Sequence, residues 1–333
     1  MAFMKTPPHR RPSGAVEAWA EDQGEDQPLF SVVIPVFNSQ DTIEATIRSV
    51  LAQTEQDFEL LLVDDGSTDG SLHRMRTAQL SDDRIRIVQG ANRGVSTARN
   101  RGVSRARGRL IAFLDADDLW DPRKLQRHAE AHARDPQLDI SFARIAFIAP
   151  RAIGLEASST HSTVPARALS VADLLAENPV CTASNLVATR ACLEAVGGFR
   201  ADMRFAEDQE WLARAAAGGR TIRGLDVILV GYRTSPAGLS SRLDLMLAGW
   251  RGFASSHGDL VDLRRAEAVY CRHLARRALR GGHGPFEALH YALRGMALST
   301  AAFFNDPRRG GLTLASAALR PFLPHPLRAR LFA

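Results

Sequence analysis

Two acidic strings in the first 120 residues are the part of this sequence best suited to chemistry. Val63-Asp64-Asp65-Gly66-Ser67-Thr68-Asp69 and Phe113-Leu114-Asp115-Ala116-Asp117-Asp118 each follow an apolar run directly. Neighbours on an extended strand point to opposite faces, so of Asp64 and Asp65 one faces a ligand crevice and the other ties down the turn. Residues i and i+2 point the same way, which aims Asp115 and Asp117 at one spot about 7 Å long. Two carboxylates that close repel each other unless a cation sits between or beside them. Hard oxygen ligands too few for a complete cage suit Mg2+ or Mn2+ that is also held by phosphates. A third string, Phe205-Ala206-Glu207-Asp208-Gln209-Glu210-Trp211, opens a helix. Taken alone, its acids are accounted for by the helix dipole, although a carboxylate near an apolar wall also suits a general base.

The elements that must hold these acids are short apolar runs separated by helical stretches. Residues 31–37, 60–63, 85–88 and 110–114 read as buried strands. Between the first two, Ile43, Ile47, Val50 and Leu51 recur at helical spacing, and Asp41 with Glu44 resembles a capping box. Strands alternating with helices predict an α/β fold with a mostly parallel sheet, Rossmann-like and covered on both faces. In such sheets ligands gather beyond the carboxyl ends of the strands. Residues 149–168 read as a loop, Ser170 to Asp173 as a helix cap, 185–188 as a strand, and 190–196 and 208–217 as helices closed by glycine pairs. The last hundred residues carry helical signals only.

At 333 residues, with 45% hydrophobic and 24% charged side chains, the chain has globular composition, and no run of eighteen apolar residues could span a bilayer. Three cysteines without CxxC spacing indicate neither a disulfide scaffold nor a zinc ribbon, and the N-terminus lacks the apolar core of a secretory signal, so a cytoplasmic protein is expected. The net charge of +5 is unevenly spread: residues 241–333 hold 14 arginines and no lysine against six acids, a local +8, leaving −3 for the rest. No helix-turn-helix, zinc-finger or RNP pattern is visible and aromatics are only 7%, which argues against nucleic acid. No GxGxxG, Walker A or GxSxG string occurs, and His128 and His132, four apart without the HExxH pattern, read as a solvated helix face.

Taken in order, the strings Ser31-Val-Val-Ile-Pro-Val-Phe-Asn38, Ser49 to Gln53, Val63 to Asp69, Asn92 to Gly94, Ala98 to Gly102, Phe113 to Asp118, Gly197-Gly-Phe199, Glu207-Asp208 and Tyr232-Arg233 resemble the family 2 glycosyltransferases of the GT-A fold, which build bacterial surface polysaccharides. The likeness covers roughly residues 29–240, leaving a flexible tail over 1–28 and a helical, basic extension over 241–333. The resemblance implies an inverting enzyme that moves a sugar from a nucleoside-diphosphate sugar to an acceptor hydroxyl with the help of Mn2+ or Mg2+. Pro35, Phe37 and the Asp65 carboxylate would hold the base, and Asp115 the ribose. Arg99 would contact phosphate or ribose, with Arg93 and Arg101 as equal alternatives. Asp117 would ligate the cation, and Asp208 would be the catalytic base. Phe37 stands where tyrosine is usual, and Ser235 and Pro236 occupy a stretch where many relatives carry a histidine. A nucleotidyltransferase is the alternative among enzymes, but it needs a glycine-rich basic loop after the first strand. A catalytically inactive relative that binds sugar nucleotide or glycan is the alternative outside them.

The acceptor implied is a glycan or lipid-linked glycan. Arg272, Arg276 and Arg280 form an i, i+4, i+8 ridge that reads either as a peripheral contact with the anionic inner face of the membrane or as a solvated face, the second being favoured.

Overall fold

The computed structural model describes residues 27–156, 158, 160–234, 242–280 and 283–323. The tail expected over residues 1–28 lies outside the described residues except for its last two, and so do Ser235, Pro236 and the boundary expected at 240/241.

Every residue of β1 (Phe30–Val36) and β2 (Phe58–Asp64) is buried, as their unbroken apolar runs require when both sheet faces are covered. The chain alternates with α1 (Ile43–Leu51), α2 (Ser71–Gln79), β3 (Ile85–Gln89), α3 (Val95–Arg105) and β4 (Leu110–Phe113). Strands β3, β2, β1 and β4 pair in parallel in that order. Alternate residues serve the two faces. Val32, Ile34, Leu60 and Leu62 meet Ile43, Ile47 and Val50 of α1, whereas Val33, Leu61 and Val63 meet Ala98 and Val103 of α3. Gly102 lets α3 lie this close, since a Cβ there would fall 2.4 Å from Val33 Cγ1.

Beyond β4 the sheet becomes mixed. β5 (Leu119–Trp120), α4 (Lys124–Arg134), β6 (Ile140–Ile148), α5 (Val171–Ala176), β7 (Val187–Thr189), α6 (Arg190–Val196), α7 (Glu207–Ala217) and β8 (Ile222–Arg233) follow in sequence. The full order is β3-β2-β1-β4-β7-β6-β8-β5. β7 runs antiparallel to β4 and β6, β8 parallel to β6, and β5 antiparallel to β8.

Two local expectations fail for identifiable reasons. The Asp41–Glu44 capping box is absent: Thr42 precedes α1 without a side-chain cap, and Glu44 instead pairs with Arg48 and with Arg74 at 2.9 Å. The reciprocal box forms at α5, between Ser170 and Asp173. His128 and His132 are not a solvated face. His128 is fully buried, and both rings share Ser141 Oγ of β6, at 2.7 and 2.9 Å. Lys124 Nζ, also fully buried, lies 3.1 Å from His128 Nε2, and burial lowers this lysine to about 7.

The C-terminal part is helical, with α8 (Leu243–Ala254), α9 (Leu263–Arg280), α10 (Glu287–Phe303) and α11 (Pro307–Leu319). It shares the core of the sheet domain. One apolar cluster runs from Val33 and Phe113 through Leu174, Phe199, Trp211 and Leu212 to Trp250, Tyr270, Ala275 and Ala292. Trp250 stacks on Tyr270 at 5.2 Å and donates its indole N–H to the Leu175 carbonyl at 2.8 Å. Among the described residues no helix is long and apolar enough to cross a membrane.

Candidate active site

A cleft of about 2010 Å³ opens beyond the carboxyl ends of β1, β2 and β4. Pro35, Phe37, Asp65, Arg99, Asp115, Asp117 and Asp208, the seven residues singled out from the sequence, all line it.

The end of β2 divides its two acids as strand alternation predicts. Asp64 accepts from the Ser67 N–H at 3.1 Å and fixes the turn, whereas Asp65 faces the cleft. The Asp65 carboxylate accepts from the backbone N–H groups of Arg93 (3.1 Å) and Gly94 (2.8 Å), with the Arg101 guanidinium 3.8 Å away. It thus clasps the loop before α3, where Gly94 takes a φ of +90° that favours glycine. Phe37, 47% exposed, presents its ring at the mouth.

Asp115 and Asp117 come together differently from the i, i+2 strand argument. β4 ends at Phe113, and a turn closed by Asp118 N–H donating to the Asp115 carbonyl at 3.1 Å carries all three acids. Asp115 accepts from Arg99 Nη2 at 2.7 Å and Thr182 Oγ1 at 3.2 Å, and its own N–H donates to Ser184 Oγ at 3.0 Å. Asp118 is buried beneath, held by the Ser184 hydroxyl and by the Arg233 N–H at 2.9 Å. Asp117 opens into the cleft but is hemmed in by protein. That partial burial first, and the Asp115 charge second, push its carboxyl up to about 6.

On the far side Asp208 is the second residue of α7, entered through Ala206 in a left-handed conformation (φ 59°). Burial foremost, then the neighbouring Glu207, raise Asp208 to about 7, against the pull of Arg99. Arg99 connects the two sides. It donates to Asp115 and, at 2.9 Å, to Glu207 Oε1, and is 3% exposed. Burial alone would weaken its hold on its proton, but the two carboxylates outweigh this and raise it above the ordinary arginine value. Nη1 and Nη2 are thus given to protein carboxylates, while Nε has no hydrogen-bond partner among the described residues. Arg93 also lines the cleft.

Asp117 takes no side-chain donor among the described residues, and like-charged Asp115 and Asp118 flank it. Such hard oxygens fit a divalent cation. Among the described residues no three His, Cys, Asp or Glu side chains form a closed ligand set, so phosphate and water oxygens must complete any coordination here.

Sequence reading missed three features. Glu207 was legible only as a helix-start acid, not as the partner of Arg99. Thr182 and Ser184, which orient Asp115, come from a short 3-10 turn with no motif of its own. The arginines of α9 are not a solvated ridge pointing away from the site: buried Arg272, half-buried Arg276 and Arg277, and exposed Arg280 all line the same cleft. Their periodicity was visible, but not the direction in which the helix presents them.

A half-parallel sheet with acids at its strand ends, facing a helix-borne carboxylate across one cleft, is the GT-A architecture. The mannosyltransferase PcManGT of Pyrobaculum calidifontis, solved with GDP-Man and Mn2+, shares the fold at a TM-score of 0.56 and 19% identity, covering 89% of this chain and 87% of that one. Residues 31–185 match the family model described as glycosyl transferase family 2. Escherichia coli WfgD, a UDP-Glc:alpha-D-GlcNAc-diphosphoundecaprenol beta-1,3-glucosyltransferase, is 42% identical over 102 residues, 30% of this chain and 40% of WfgD. The uncharacterized glycosyltransferase EpsJ of Bacillus subtilis is 33% identical over 222 residues, 64% of this chain and 63% of EpsJ. The chain therefore spans less than two thirds of either relative.

Proposed function

We propose that this protein transfers a sugar from a nucleoside-diphosphate sugar to an acceptor hydroxyl, inverting the anomeric centre, in the assembly of a surface polysaccharide. The observation that carries the reading is the cleft itself: acids from β2, from the turn after β4 and from α7 converge on one hollow instead of three. The names of two similar proteins add support, WfgD for a UDP-sugar donor and PcManGT for a GDP-sugar with Mn2+.

In this reading Pro35, Phe37 and Asp65 hold the nucleotide base and Asp115 the ribose. Arg99 acts from behind, fixing Asp115 and Glu207 so that donor and acceptor sides keep their spacing. Asp117 would hold a divalent cation together with the donor's phosphates, and that ion, when bound, offsets the charge of a departing diphosphate. Asp208 takes the proton from the attacking hydroxyl. Its raised pKa suits the task, since a base near the working pH accepts a proton without being too weak to hold it. Attack from the side opposite the diphosphate inverts the sugar.

The test is Asp208→Asn. Nucleoside diphosphates are first screened with and without Mn2+ for a rise in melting temperature, because a ligand of the folded state alone must stabilise it. With the nucleotide so found, the variant should bind it within a few-fold of wild type while turnover falls by roughly 10²–10⁴. Wild-type turnover should rise with pH through about 7, the value to which Asp208 is raised, and the variant should lack that limb. Retained turnover in the variant, or no shift with uridine, guanosine or thymidine diphosphate, would refute the proposal.

A further inference from the structure

Helix α9 builds a cationic wall on the side of the cleft away from the strand ends. Arg272, Arg276, Arg277 and Arg280 line it, and Arg309 of α11 joins them. Nearby acids do not balance these charges. Glu177 serves both Arg272 (3.2 Å) and Arg309 (3.1 Å), and Asp306 also pairs with Arg309, at 3.3 Å. Arg276 and Arg280 have no hydrogen bond or ion pair among the described residues; Arg280 only lies over the Phe147 ring, at 5.3 Å. Burial first, and the other arginines, hold both guanidiniums below the ordinary arginine value.

Cations that repel one another and have given up part of their hydration are stabilised by an anion that bridges them. The planar fork of arginine matches phosphate oxygens two at a time. Where the wall stands says which phosphate. Glu177, which pairs with Arg272 and Arg309, is followed by Asn178, whose side chain donates to Asp208 at 3.4 Å, so the wall stands beside the helix-borne carboxylate. The side of Asp208 is the side of the attacking hydroxyl.

We propose that this wall, with Arg276 and Arg280 as its uncommitted donors, binds a phosphate carried by the acceptor, so that the substrate hydroxyl belongs to a phosphorylated glycan rather than to a neutral sugar. The inference rests on reading the cleft as a glycosyl-transfer site, and it adds the acceptor's chemical class.

Two linkages would present this chemistry, a sugar phosphate monoester or diphosphate end, as on a lipid carrier, and a phosphodiester, as in a phosphate-linked polymer. The experiment fills the donor site with the nucleoside diphosphate found above and then titrates three probes by calorimetry: N-acetylglucosamine 1-phosphate, glycerophosphoglycerol and unphosphorylated N-acetylglucosamine. At least one phosphorylated probe should bind at least tenfold more tightly than the neutral sugar. The doubly substituted R276Q/R280Q protein should lose at least tenfold of that affinity, and R276K/R280K should recover part of it. Preference for the monoester assigns the first linkage, and preference for the diester the second. Nucleotide binding by the same variants, measured beforehand, shows that they are folded and keeps the two readings apart. No binding of either phosphorylated probe to the nucleotide-loaded protein, or equal binding by R276Q/R280Q, overturns the inference while leaving the donor reading untouched. A protein that binds no nucleotide overturns the donor reading instead.

Discussion

Replacing Arg99 with methionine removes the cation that ties Asp115 to Glu207. Methionine keeps most of the buried volume and deletes the charge. Arg99 is 4% exposed at its side chain, while its partners are 26% and 13% exposed, so two carboxylates lose their counter-charge where water reaches them only in part. Breaking a buried pair by removing one member costs about 3–5 kcal/mol, and the access of water to Asp115 argues for the lower end, about 3 kcal/mol. With an unfolding entropy near 2.1 cal/mol/K per residue over 333 residues, that is a fall of about 4 °C in melting temperature. Arg48→Ala is the control, because its pair with Glu44 is 72% and 50% exposed and should contribute little to stability. A second readout is specific to the site. Arg99 draws Asp208 down, so its loss must move the acidic limb of the pH–rate profile upward from about 7. A melting temperature within 1 °C of wild type, or a limb that stays or moves down, would refute the role assigned to Arg99.

His132 gives a pH dependence of stability with a definite sign. Burial lowers it to about 4, against the weaker pull of Leu138, Asp139 and Asp135, so on acidification the unfolded chain takes up its proton first. Stability should therefore fall as pH drops from about 6.5 towards 4, by roughly 2–3 kcal/mol from this group over the full range. Urea denaturation of wild type and His132→Gln between pH 6.5 and 5 checks it; equal slopes would count against the buried network. Gly102→Ala should destabilise although alanine favours helices, because its methyl would meet Val33 Cγ1 at 2.4 Å and Val63 Cγ2 at 3.0 Å. Overpacking of this kind costs about 1–3 kcal/mol, and an unchanged urea midpoint would show that α3 can lift off the sheet freely.

Much of the parallel half was legible because its strands are buried on both faces and so read as unbroken apolar runs. Ser31 to Val36 and Leu60 to Val63 announce themselves without reference to their neighbours. β6 and β8 do not. Ile140–Ile148 carries Ser141 and Arg144, and Ile222–Arg233 carries Gly224 and Asp226 within it. Ser141 is accommodated only because His128 and His132 reach it from α4, a pairing that no local pattern encodes. The acids of the site were legible for their placement after apolar runs, but the turn that brings Asp115 and Asp117 together and the arginine that braces them depend on contacts across the fold. The ridge of α9 shows the same division. Its spacing is in the sequence, while its direction is set by Ala268, Cys271, Leu274, Ala275 and Ala278, which turn the opposite faces of the helix into the core.

The apolar cluster that runs unbroken from the sheet into α8, α9 and α10 bears on recombination between relatives. A chimaera that crosses over between Arg233 and Leu243, to exchange the arginine wall while keeping the acids, would also exchange one half of an interlocked interior. Trp250, which reaches the Leu175 carbonyl, and Tyr270, which stacks on that indole, would meet foreign partners. On the proposed reading of the wall, new acceptor preferences are reached more directly by single substitutions along the cleft-facing side of α9 than by importing the helices whole.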